Sequence, residues 1–386
     1  MATHSDGNPA SATAPLSLAD GGYMDEALAL ALKGRNAVQP NPLVGAIIVQ
    51  GDAVVGRGYH ARYGGPHAEE MALAEAGTRA AGSTVYVTLE PCAAAYPGKN
   101  RPPCAPALIA AGVSRVVTAI ADPNPRVSGK GLQLLSAAGI TVELGIRADE
   151  ATYMNRGFLH WMRTGRPYVL AKEAQTRDGY DAASLAGERW FTSDRARKWV
   201  HQLRAQAGAI LIGRGTALAD DPALTVRDAE GSHPLRVVLD SDNRLPKNLK
   251  LFSDNLAPTL VFSGTAATPR PAGWEQVVVD RTPAGLDLRQ VLEELGRRKV
   301  TLLLVEGGPR VHRSFMAAEL VQEVCIVRAN VAADSAVRNR PDLKSALNLP
   351  QGWPLRKIGA ELPESILMAH QPLNSAVART GGTAKI

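Results

Sequence analysis

The stretch Pro66-His67-Ala68-Glu69, followed downstream by Pro91-Cys92 and then Cys104, decides how the fold of this chain is interpreted. Together these motifs supply one imidazole, two thiols and one carboxylate. Three nitrogen and sulfur ligands with an open fourth position are typical of a catalytic zinc site. Zinc deaminases carry His-x-Glu followed by Pro-Cys-x-x-Cys, and this chain departs from the second half because eleven residues separate its two cysteines.

A structural role is the alternative for these side chains. A lone histidine in an alanine-rich helix usually packs in a core, and so does a lone buried cysteine. A closed structural zinc site needs a fourth ligand. The third cysteine of the sequence, Cys325, lies in a distant apolar run, so the pattern favours catalytic zinc.

The local sequence around the histidine predicts how it is presented. Gly64-Gly65-Pro66 interrupts the chain, and residues 68–76 predict a helix with His67 in its first turn. Glu69 follows the histidine by two positions. A carboxylate beside a metal ligand can move a proton between a water nucleophile and a leaving amine, which makes Glu69 the candidate catalytic residue.

The local sequence around the two cysteines predicts a strand followed by a helix. Residues 83–89 are rich in β-branched and aromatic side chains and predict a strand. Pro91-Cys92 follows its carboxyl end, where α/β sheets usually place ligands. Cys104 opens a helix that Gly112 ends, and a helix amino end favours the thiolate form of a cysteine.

Composition indicates an ordinary globular protein with two domains. The chain has 386 residues, 45% hydrophobic and 21% charged, and domains usually take ~100–200 residues each. Residues 1–22 lack an apolar segment and predict a disordered tail rather than a signal peptide. No run approaches the ~18 apolar residues of a membrane span. With few cysteines as well, we expect a cytoplasmic protein that does not contact a membrane.

The charge of the chain allows two classes of ligand. The net charge is +6 and the pI about 9.3, which would suit nucleic acid. However, lysine and arginine are spread along the chain without long runs, and only 5% of residues are aromatic. A phosphorylated small molecule explains a mildly basic site equally well, and we expect no nucleic acid.

Strands and helices alternate along the first half of the chain, which predicts an α/β sandwich. Gly51-Asp52 predicts a hairpin turn between two of the strands. The predicted helices are 23–32, 68–76, 104–111 and 132–138, and the predicted strands are 43–49, 53–59, 83–89, 114–120 and 140–144.

Several longer motifs resemble one family. They are Pro-Asn-Pro-Leu-Val-Gly at 40–45, His-Ala-Glu at 67–69, Thr-Leu-Glu-Pro-Cys at 88–92, Pro-Pro-Cys-Ala-Pro at 102–106 and Asp-Pro-Asn-Pro-Arg-Val at 122–127. From about Met24 to about Ala318, the chain resembles the bifunctional deaminase/reductase family of riboflavin biosynthesis. The resemblance implies a cytidine-deaminase-like α/β/α sandwich over residues 23–163 that removes an amine from a phosphorylated diaminopyrimidine.

The resemblance also assigns residues in this first domain. It implies that His67, Cys92 and Cys104 bind Zn²⁺ and that Glu69 is the proton carrier. The positions that match the family's substrate pocket are Asn41, His60 and Lys99, with Arg101 beside Lys99 on the loop between the two cysteines. For these residues, turn capping or a solvated loop charge is the alternative.

The second half resembles the reductase domain of the same family. Residues 163–167 are a polar break, and a dihydrofolate-reductase-like α/β domain is expected over residues 166–371. Residues 209–213 predict a strand that ends in glycine. Residues 302–305 predict a strand that leads into Glu306-Gly307-Gly308 and then a helix, a turn that lets backbone approach a ligand phosphate. No Gly-x-Gly-x-x-Gly fingerprint is present, so a Rossmann domain is not expected.

The resemblance implies specific roles in this reductase domain. Lys172 and Asp220 would lie near the hydride transfer. Arg244 is a candidate for the 2′-phosphate of NADPH because a guanidinium matches phosphate geometry. The residues expected to bind NADPH are Ala174, Trp190, Thr216, Asp220, Ser241 and Gly308. The residues expected to bind substrate are Arg204, Leu224, Arg227 and Glu306. Surface charge is the alternative for the arginines, and core packing is the alternative for the tryptophan.

Departures from the family keep other functions open. Residues 93–98 replace the usual His-His-Gly, Gly187-Glu188-Arg189 is displaced by one residue, and the pattern weakens after Val321. The alternatives are a deaminase with a degenerate reductase half, or a zinc deaminase of another nucleobase or of nucleic acid. A homo-oligomer is considered, although the sequence does not fix the oligomeric state.

Overall fold

The computed structural model describes residues 18–93, 102–124, 128–181, 192–265, 274–333, 335–339, 344–347, 350–358 and 365–371. Within these ranges the chain forms two large β-sheets with helices packed against them. The α/β class predicted from the sequence is therefore confirmed.

The first sheet belongs to the zinc-ligand half of the chain. Its described strands lie in the order β2-β1-β3-β4-β5, with β1 antiparallel to both neighbours and β3, β4 and β5 parallel. The strands are β1 (Gly45–Gln50), β2 (Ala53–Tyr59), β3 (Thr84–Leu89), β4 (Arg115–Ile120) and β5 (Thr141–Leu144). The helices are α1 (Leu18–Ala31), α2 (Ala68–Ala76), α3 (Cys104–Ala110), α4 (Lys130–Ala137), α5 (Ala148–Met154) and α6 (Arg156–Thr164).

Helices cover both faces of this sheet, which makes a three-layer sandwich. On one face, Met24 and Ala27 of α1 are buried in a cluster that also contains residues of β1 and β3. On the other face, Ala72 of α2 and Leu108 of α3 are buried with the opposite side chains of the strands. The alternating burial of strand residues on two apolar faces explains why β1 and β3 are almost continuously hydrophobic.

Two features of this half differ from the prediction. Helix α1 begins at Leu18, five residues before the predicted start, so residues 18–22 belong to a helix and not to the predicted tail. The reason is Asp20, which is 4% exposed, accepts a hydrogen bond from the Tyr86 hydroxyl at 2.6 Å and pairs with Arg115 at 2.7 Å. Helices α5 and α6, between residues 148 and 164, were not predicted.

The second sheet is mostly parallel. Its described strands lie in the order β10-β9-β8-β7-β13-β6-β14-β16-β15, and only β16 and β15 run antiparallel to their neighbours. The strands are β6 (Tyr168–Gln175), β7 (Ala209–Gly213), β8 (Leu235–Leu239), β9 (Thr259–Ser263), β10 (Trp274–Val278), β13 (Leu302–Val305), β14 (Glu323–Arg328), β15 (Leu355–Ile358) and β16 (Ser365–His370); β11 (Arg281–Thr282) and β12 (Gly285–Leu286) form a separate hairpin.

Helices again lie on both sides of this sheet, over two apolar clusters. The helices are α7 (Asp194–Gln206), α8 (Arg214–Asp220), α9 (Lys250–Ser253), α10 (Leu288–Arg297), α11 (Pro309–Ala317) and α12 (Ser335–Arg338). Strands β7 and β13 have the predicted bounds, 209–213 and 302–305. None of the helices in the described ranges combines the length and the hydropathy that crossing a membrane requires.

Helices α5 and α6 join the two halves. The carboxylate of Glu323, at the start of β14, is fully buried and accepts hydrogen bonds from the Tyr153 hydroxyl and from Arg156 Nε, both at 2.7 Å. Trp161 Nε1 donates to the Gly296 carbonyl at 3.0 Å. These contacts attach the second sheet to the linker helices, so the two halves pack directly against each other.

Candidate active sites

Helix α2 begins next to the predicted metal ligand His67, and the position of the helix depends on close packing against β2. A Cβ atom on Gly58 would lie 2.0 Å from the Ala68 carbonyl oxygen, so only glycine lets the helix approach this closely. His67 is the N-cap residue of α2, one position before the predicted first turn. Its backbone N–H donates to Glu70 Oε2 at 2.8 Å, which fixes the start of the helix.

The three predicted ligands converge at one point. His67 Nδ1 lies 3.2 Å from Cys104 Sγ and 3.8 Å from Cys92 Sγ. All three ligand atoms lie within 4.8 Å of one another. Cys104 is buried at the start of α3, and its backbone N–H donates to Cys92 Sγ at 3.2 Å. The strand end and the helix start therefore hold the two sulfur atoms together across the eleven intervening residues.

This arrangement fits zinc. Tetrahedral coordination with Zn–S near 2.3 Å and Zn–N near 2.0–2.1 Å requires ligand atoms roughly 3.5–3.8 Å apart. The distances from His67 Nδ1 to the two sulfur atoms bracket this range. The described residues bring three ligands together, which leaves a fourth position for water or substrate.

Glu69 lies next to these ligands and is 4% exposed. Burial, and next the charge of Cys92, raise the pKa of Glu69 to about 7. A group with a pKa near the working pH can both accept and return a proton. Its position and its pKa agree with the predicted role of proton carrier.

Asn41 and His60 lie beside the same cluster. The Asn41 side-chain amide donates to His60 Nε2 at 3.0 Å, and His60 Nδ1 donates to the Pro66 carbonyl at 2.8 Å. The rings of His60 and His67 are 5.7 Å apart and nearly perpendicular. Burial lowers the pKa of His60, so a neutral ring with one donor and one acceptor nitrogen is favoured in this network.

Two supporting residues were missed by the sequence analysis. Asn155 bonds to the backbone of Leu43 twice, at 2.8 and 2.9 Å, and thereby fixes the segment that carries Asn41. Glu90, 3% exposed, accepts from the backbone N–H groups of Asp122, Gly129 and Gly131 at 2.9–3.2 Å. The Asp-Pro-Asn-Pro motif that begins at Asp122 and the Glu-Pro-Cys motif that begins at Glu90 were visible in the sequence, but their contact was not.

In the second half, three predicted residues meet at one end of the sheet. Arg204 makes a two-point contact with Glu306, with both N–O distances 2.7 Å. Burial by itself would raise the pKa of Glu306, but Arg204 and then Lys172 lower it to about 2. Arg204 Nη1 also donates to the Thr225 carbonyl at 3.4 Å. The Arg204–Glu306 ion pair and Lys172 therefore form one cluster.

The predicted cofactor residues follow the carboxyl ends of parallel strands. Thr216 and Gly308 meet directly, because the Gly308 N–H donates to Thr216 Oγ1 at 3.0 Å. A Cβ atom on Gly307 would lie 2.4 Å from Ile212 Cα, so this turn is packed tightly against the end of β7. Ala174 lies on β6, and Ser241 follows β8. Ligands bind at this edge in open α/β sheets.

The remaining predicted residues lie in several environments. Asp220 is the exposed last residue of α8. Leu224 is 2% exposed and packs in the apolar core, so its side chain is not available to a substrate. The Arg227 N–H donates to His201 Nδ1 at 3.3 Å, and the sequence analysis gave His201 no role. Lys99, Arg101 and Trp190 lie outside the described residues.

Arg244, the candidate for a 2′-phosphate, belongs to a group of arginines around Asp242. Arg281 lies 2.6 Å from Asp242, Arg214 lies 3.5 Å from it, and Arg244 lies 3.8 Å from it. Arg244 is 71% exposed. Three cations around one carboxylate leave a net positive patch beside Ser241, which agrees with the proposed contact to a phosphate.

Two family models match the chain. Residues 19–120 match the cytidine and deoxycytidylate deaminase zinc-binding region. Residues 167–332 match the RibD C-terminal domain. The first match lies in the half of the chain that forms the first sheet and includes the three predicted zinc ligands, and the second match lies in the half that forms the second sheet.

Relatives of known sequence and structure match most of the chain. The riboflavin biosynthesis protein RibD of Escherichia coli is 40% identical over 345 residues, covering 85% of this chain and 93% of that protein. RibD of Aquifex aeolicus is 42% identical over 298 residues, covering 77% of this chain and 83% of that protein.

Solved structures agree with the sequence relatives. Acinetobacter baumannii RibD superposes with a TM-score of 0.78 at 34% identity, over 92% of this chain and 99% of the other. A Thermotoga maritima diaminohydroxyphosphoribosylaminopyrimidine deaminase/5-amino-6-(5-phosphoribosylamino)uracil reductase gives 0.77 at 30% identity, over 91% and 98%. The resemblance read from the motifs is confirmed: the chain belongs to the RibD family, the bifunctional deaminase/reductase enzymes of riboflavin biosynthesis.

Proposed function

We propose that the two halves act in turn on one phosphorylated pyrimidine. The first half would deaminate 2,5-diamino-6-(5-phosphoribosylamino)pyrimidin-4-one, and the second would reduce the ribosyl group of the product to ribityl with NADPH. The observation that carries the proposal is the buried Glu69 carboxyl beside the cluster of His67, Cys92 and Cys104. The Thermotoga maritima relative is itself named as a deaminase and reductase of this kind.

In the deaminase half, His67 Nδ1 and the two cysteine sulfurs would hold Zn²⁺. When bound, zinc supplies a water acidic enough to serve as nucleophile at neutral pH. Glu69, buried beside the three ligands, would carry a proton from the nucleophile to the departing amine. Asn41 and His60 orient the pyrimidine through polar groups that already form one hydrogen-bonded network.

Lys99 remains the candidate partner of the substrate phosphate. It lies in the sequence between the two cysteine ligands, so a phosphate at that loop would lie near the reacting ring. We expect Lys99→Ala to weaken use of the phosphorylated substrate more than use of its dephosphorylated form. Equal losses for the two substrates would place Lys99 outside the phosphate site.

In the reductase half, the carboxyl ends of β6, β7, β8 and β13 would bind NADPH, which supplies the hydride. The candidates are Ala174, Trp190, Thr216, Asp220, Ser241 and Gly308. Arg204, Arg227 and Glu306 would hold the substrate, with Leu224 restricted to backbone contacts by its burial. Lys172 contributes positive charge next to Glu306.

Four further parts of the proposal concern the whole protein. The two units would span residues 23–163 and 166–371, with α1 extending the first unit to Leu18.

The location and the partners of the protein are proposals as well. We propose that the protein works in the reducing cytoplasm, where cysteine ligands such as Cys92 and Cys104 stay free of disulfides. We propose a small-molecule substrate rather than nucleic acid, because the relatives that match most of the chain are riboflavin biosynthesis proteins. A homo-oligomer is a prediction that light scattering of the purified protein would test.

One experiment separates the full proposal from its alternatives. The purified zinc-loaded protein is incubated with the diaminopyrimidine substrate, with and without NADPH, while ammonia release and NADPH absorbance are followed separately. We expect ammonia in both reactions and NADPH oxidation only after deamination. Ammonia release without NADPH oxidation, even with the uracil intermediate supplied, would show a degenerate reductase half. No ammonia release from this substrate would point to another nucleobase.

A further inference from the structure

A cavity of about 960 Å³ lies between the two halves of the protein. On one side it is lined by residues of α1 and of the segment leading to β1, including Arg35 and Asn41. On the other side it is lined by Trp199 and Gln202 of α7 and by Leu302 at the start of β13. This volume falls within the ~300–1,000 Å³ that small-molecule sites usually occupy.

The cavity is separate from both candidate active sites. Leu302 is the first residue of β13, whereas Glu306 follows its other end, so the cavity and the reductase site lie at opposite edges of the sheet. Helix α7 lies between them, with Gln202 in the cavity wall and Arg204 in the reductase site. On the deaminase side, the zinc ligands are not among the lining residues, and Asn41 is the shared residue.

Arg35 is the unusual feature of the cavity wall. Its side chain is half-buried, yet it forms no salt bridge with a carboxylate in the part of the chain that the structure describes. Burial, and next the charge of Arg156, lower the pKa of Arg35. A desolvated cation near a second cation is unfavourable unless an anion joins it.

The other charged groups of the lining do not supply that anion. Arg156 is already paired with the buried Glu323. Asp25 is held by Arg147 at 2.7 Å. Asp149 and Glu150 are exposed residues of the first turn of α5 and lie at the mouth of the cavity. Arg356, an exposed residue of the lining, also has no carboxylate partner among the described residues, so the wall combines two uncompensated guanidinium groups, of which Arg35 is the half-buried one, with flat and apolar surfaces.

Aromatic and apolar groups complete the wall. The guanidinium groups of Arg156 and Arg356 lie over the Tyr153 ring, with centroid distances of 4.3 and 4.5 Å. Trp199, Leu203 and Met368 add further apolar surface. Such a wall favours a planar ring, while the guanidinium favours phosphate, with which it can form two parallel hydrogen bonds.

We propose that this cavity is a binding site for a phosphorylated heteroaromatic small molecule, with its phosphate on Arg35 and its ring between the two halves of the protein. The site is distinct from the NADPH site and from the cluster of His67, Cys92 and Cys104, and it borders the proposed pyrimidine pocket at Asn41. Because Asn41 lines the cavity and also donates to His60, an occupant contacts the same segment that orients the deaminase pocket.

Flavin mononucleotide is a suitable probe because it combines a planar heteroaromatic ring with a phosphate and is fluorescent. Its binding to the zinc-loaded full chain is measured by fluorescence titration with NADP⁺ and the uracil intermediate both present at saturation, so that the active sites are filled without turnover. Riboflavin and inorganic phosphate are titrated in parallel. We expect flavin mononucleotide to bind at least 10-fold more tightly than either of them.

Two variants, Arg35→Met and Trp199→Leu, and one control variant, Lys33→Met, test the location of the site. Arg35→Met should weaken flavin mononucleotide binding at least 10-fold and leave riboflavin binding unchanged, while Lys33→Met, which removes a nearby exposed cation, should change neither. Trp199→Leu should weaken the binding of flavin mononucleotide and of riboflavin to the same extent. Ammonia release and NADPH oxidation at wild-type rates would show that the variants fold.

Three results would overturn the proposal. They are no binding once the active sites are saturated, equal affinity in wild type and Arg35→Met, or displacement of the flavin by inorganic phosphate at similar concentration. The last result would mean that the flavin ring contributes nothing to the affinity. The comparison of wild type with Arg35→Met does not depend on whether the proposed substrate reaction is correct, since Arg35 lines the cavity and belongs to neither candidate active site.

Discussion

At the scale of single residues, Glu69 and Glu306 show how one side-chain type serves two purposes. Burial and the charge of Cys92 raise the pKa of Glu69 to about 7. Glu306 is buried as well, but Arg204 and Lys172 lower its pKa to about 2. The first carboxyl group can exchange a proton near neutral pH, whereas the second stays charged and holds its neighbours in place.

The role of Glu69 gives a direct test. We expect Glu69→Gln to retain zinc, since the three ligands are untouched, and to lose deamination by roughly 10²-fold or more. Metal analysis and ammonia release measure the two effects. Glu75→Gln, at an exposed position of the same helix, is the matched control and should behave as wild type. Normal deamination by Glu69→Gln would rule out its assignment as proton carrier.

The low pKa of Glu306 predicts a pH-dependent stability. Its pKa is about 2 in the folded protein against 4.5 ordinarily, so it stabilises the fold fully above about pH 4.5, and this contribution is lost as the pH falls toward 2. At 1.36 kcal/mol per pKa unit the contribution is roughly 3 kcal/mol. Glu306→Gln should therefore be less stable than wild type at pH 7, and the two should converge near pH 2–3.

Urea unfolding at a series of pH values measures this difference. Comparing the two proteins at each pH removes the effects of other titrating groups. Glu275→Gln is the control, because Glu275 pairs with Arg298 while 58% exposed, and such pairs contribute about 1 kcal/mol or less. A difference between Glu306→Gln and wild type that is constant with pH would mean that charge is not the cause.

At the scale of helices and strands, the sequence predicted elements whose signals are local. Strands β2, β7 and β13 and helix α2 have the predicted bounds, because alternating or continuous apolar runs end at glycine, proline or polar turns. Helices α5 and α6 were missed by the sequence analysis. Arg147 is not a usual N-cap residue for α5, and Asn155 does not cap α6 with its side chain, which bonds to the backbone of Leu43 instead. The stability of the two helices comes from Glu323, more than 150 residues away in sequence.

The zinc site shows the same difference between residues that local sequence signals predict and residues that depend on contacts distant in sequence. His67, Glu69 and the cysteines could be found because each lies at a predicted helix start or strand end. Asn155 and Glu90 could not, since their partners lie 112 and up to 41 residues away in sequence. Similarly, the early start of α1 depends on the contact between Asp20 and Tyr86, which no local pattern indicates.

The close packing of α2 on β2 predicts that Gly58 is required for metal binding. Gly58→Ala would place a Cβ atom 2.0 Å from the Ala68 carbonyl oxygen, so α2 must shift and carry His67 with it. We expect a destabilisation of about 1–3 kcal/mol and a loss of bound zinc. Gly22→Ala, in α1 with no atom within 4 Å of the new Cβ, should retain both stability and zinc. Thermal unfolding and metal analysis compare the two variants, and full zinc in Gly58→Ala would contradict the packing argument.

At the scale of the whole molecule, the two candidate sites belong to different sheets. The zinc ligands and Glu69 are positioned by β3, α2 and α3, whereas Lys172, Arg204 and Glu306 are positioned by β6, α7 and β13. The halves touch through Tyr153, Arg156 and Glu323, none of which belongs to either site. The chemistry of one half should therefore survive the loss of the other.

Two opposite treatments test this independence. A chelator that removes zinc should abolish ammonia release, because it removes the source of the nucleophile, but NADPH oxidation should continue when the uracil intermediate is supplied. Asp220→Asn should suppress NADPH oxidation and leave ammonia release unchanged, since Asp220 ends α8 in the second sheet. Leu218→Asn, which changes a neighbouring exposed residue of α8, should retain both activities. If chelation also stops NADPH oxidation when the uracil intermediate is supplied, while the protein remains folded, the activities of the two halves are coupled. The contacts at Glu323 would then do more than hold the two halves together.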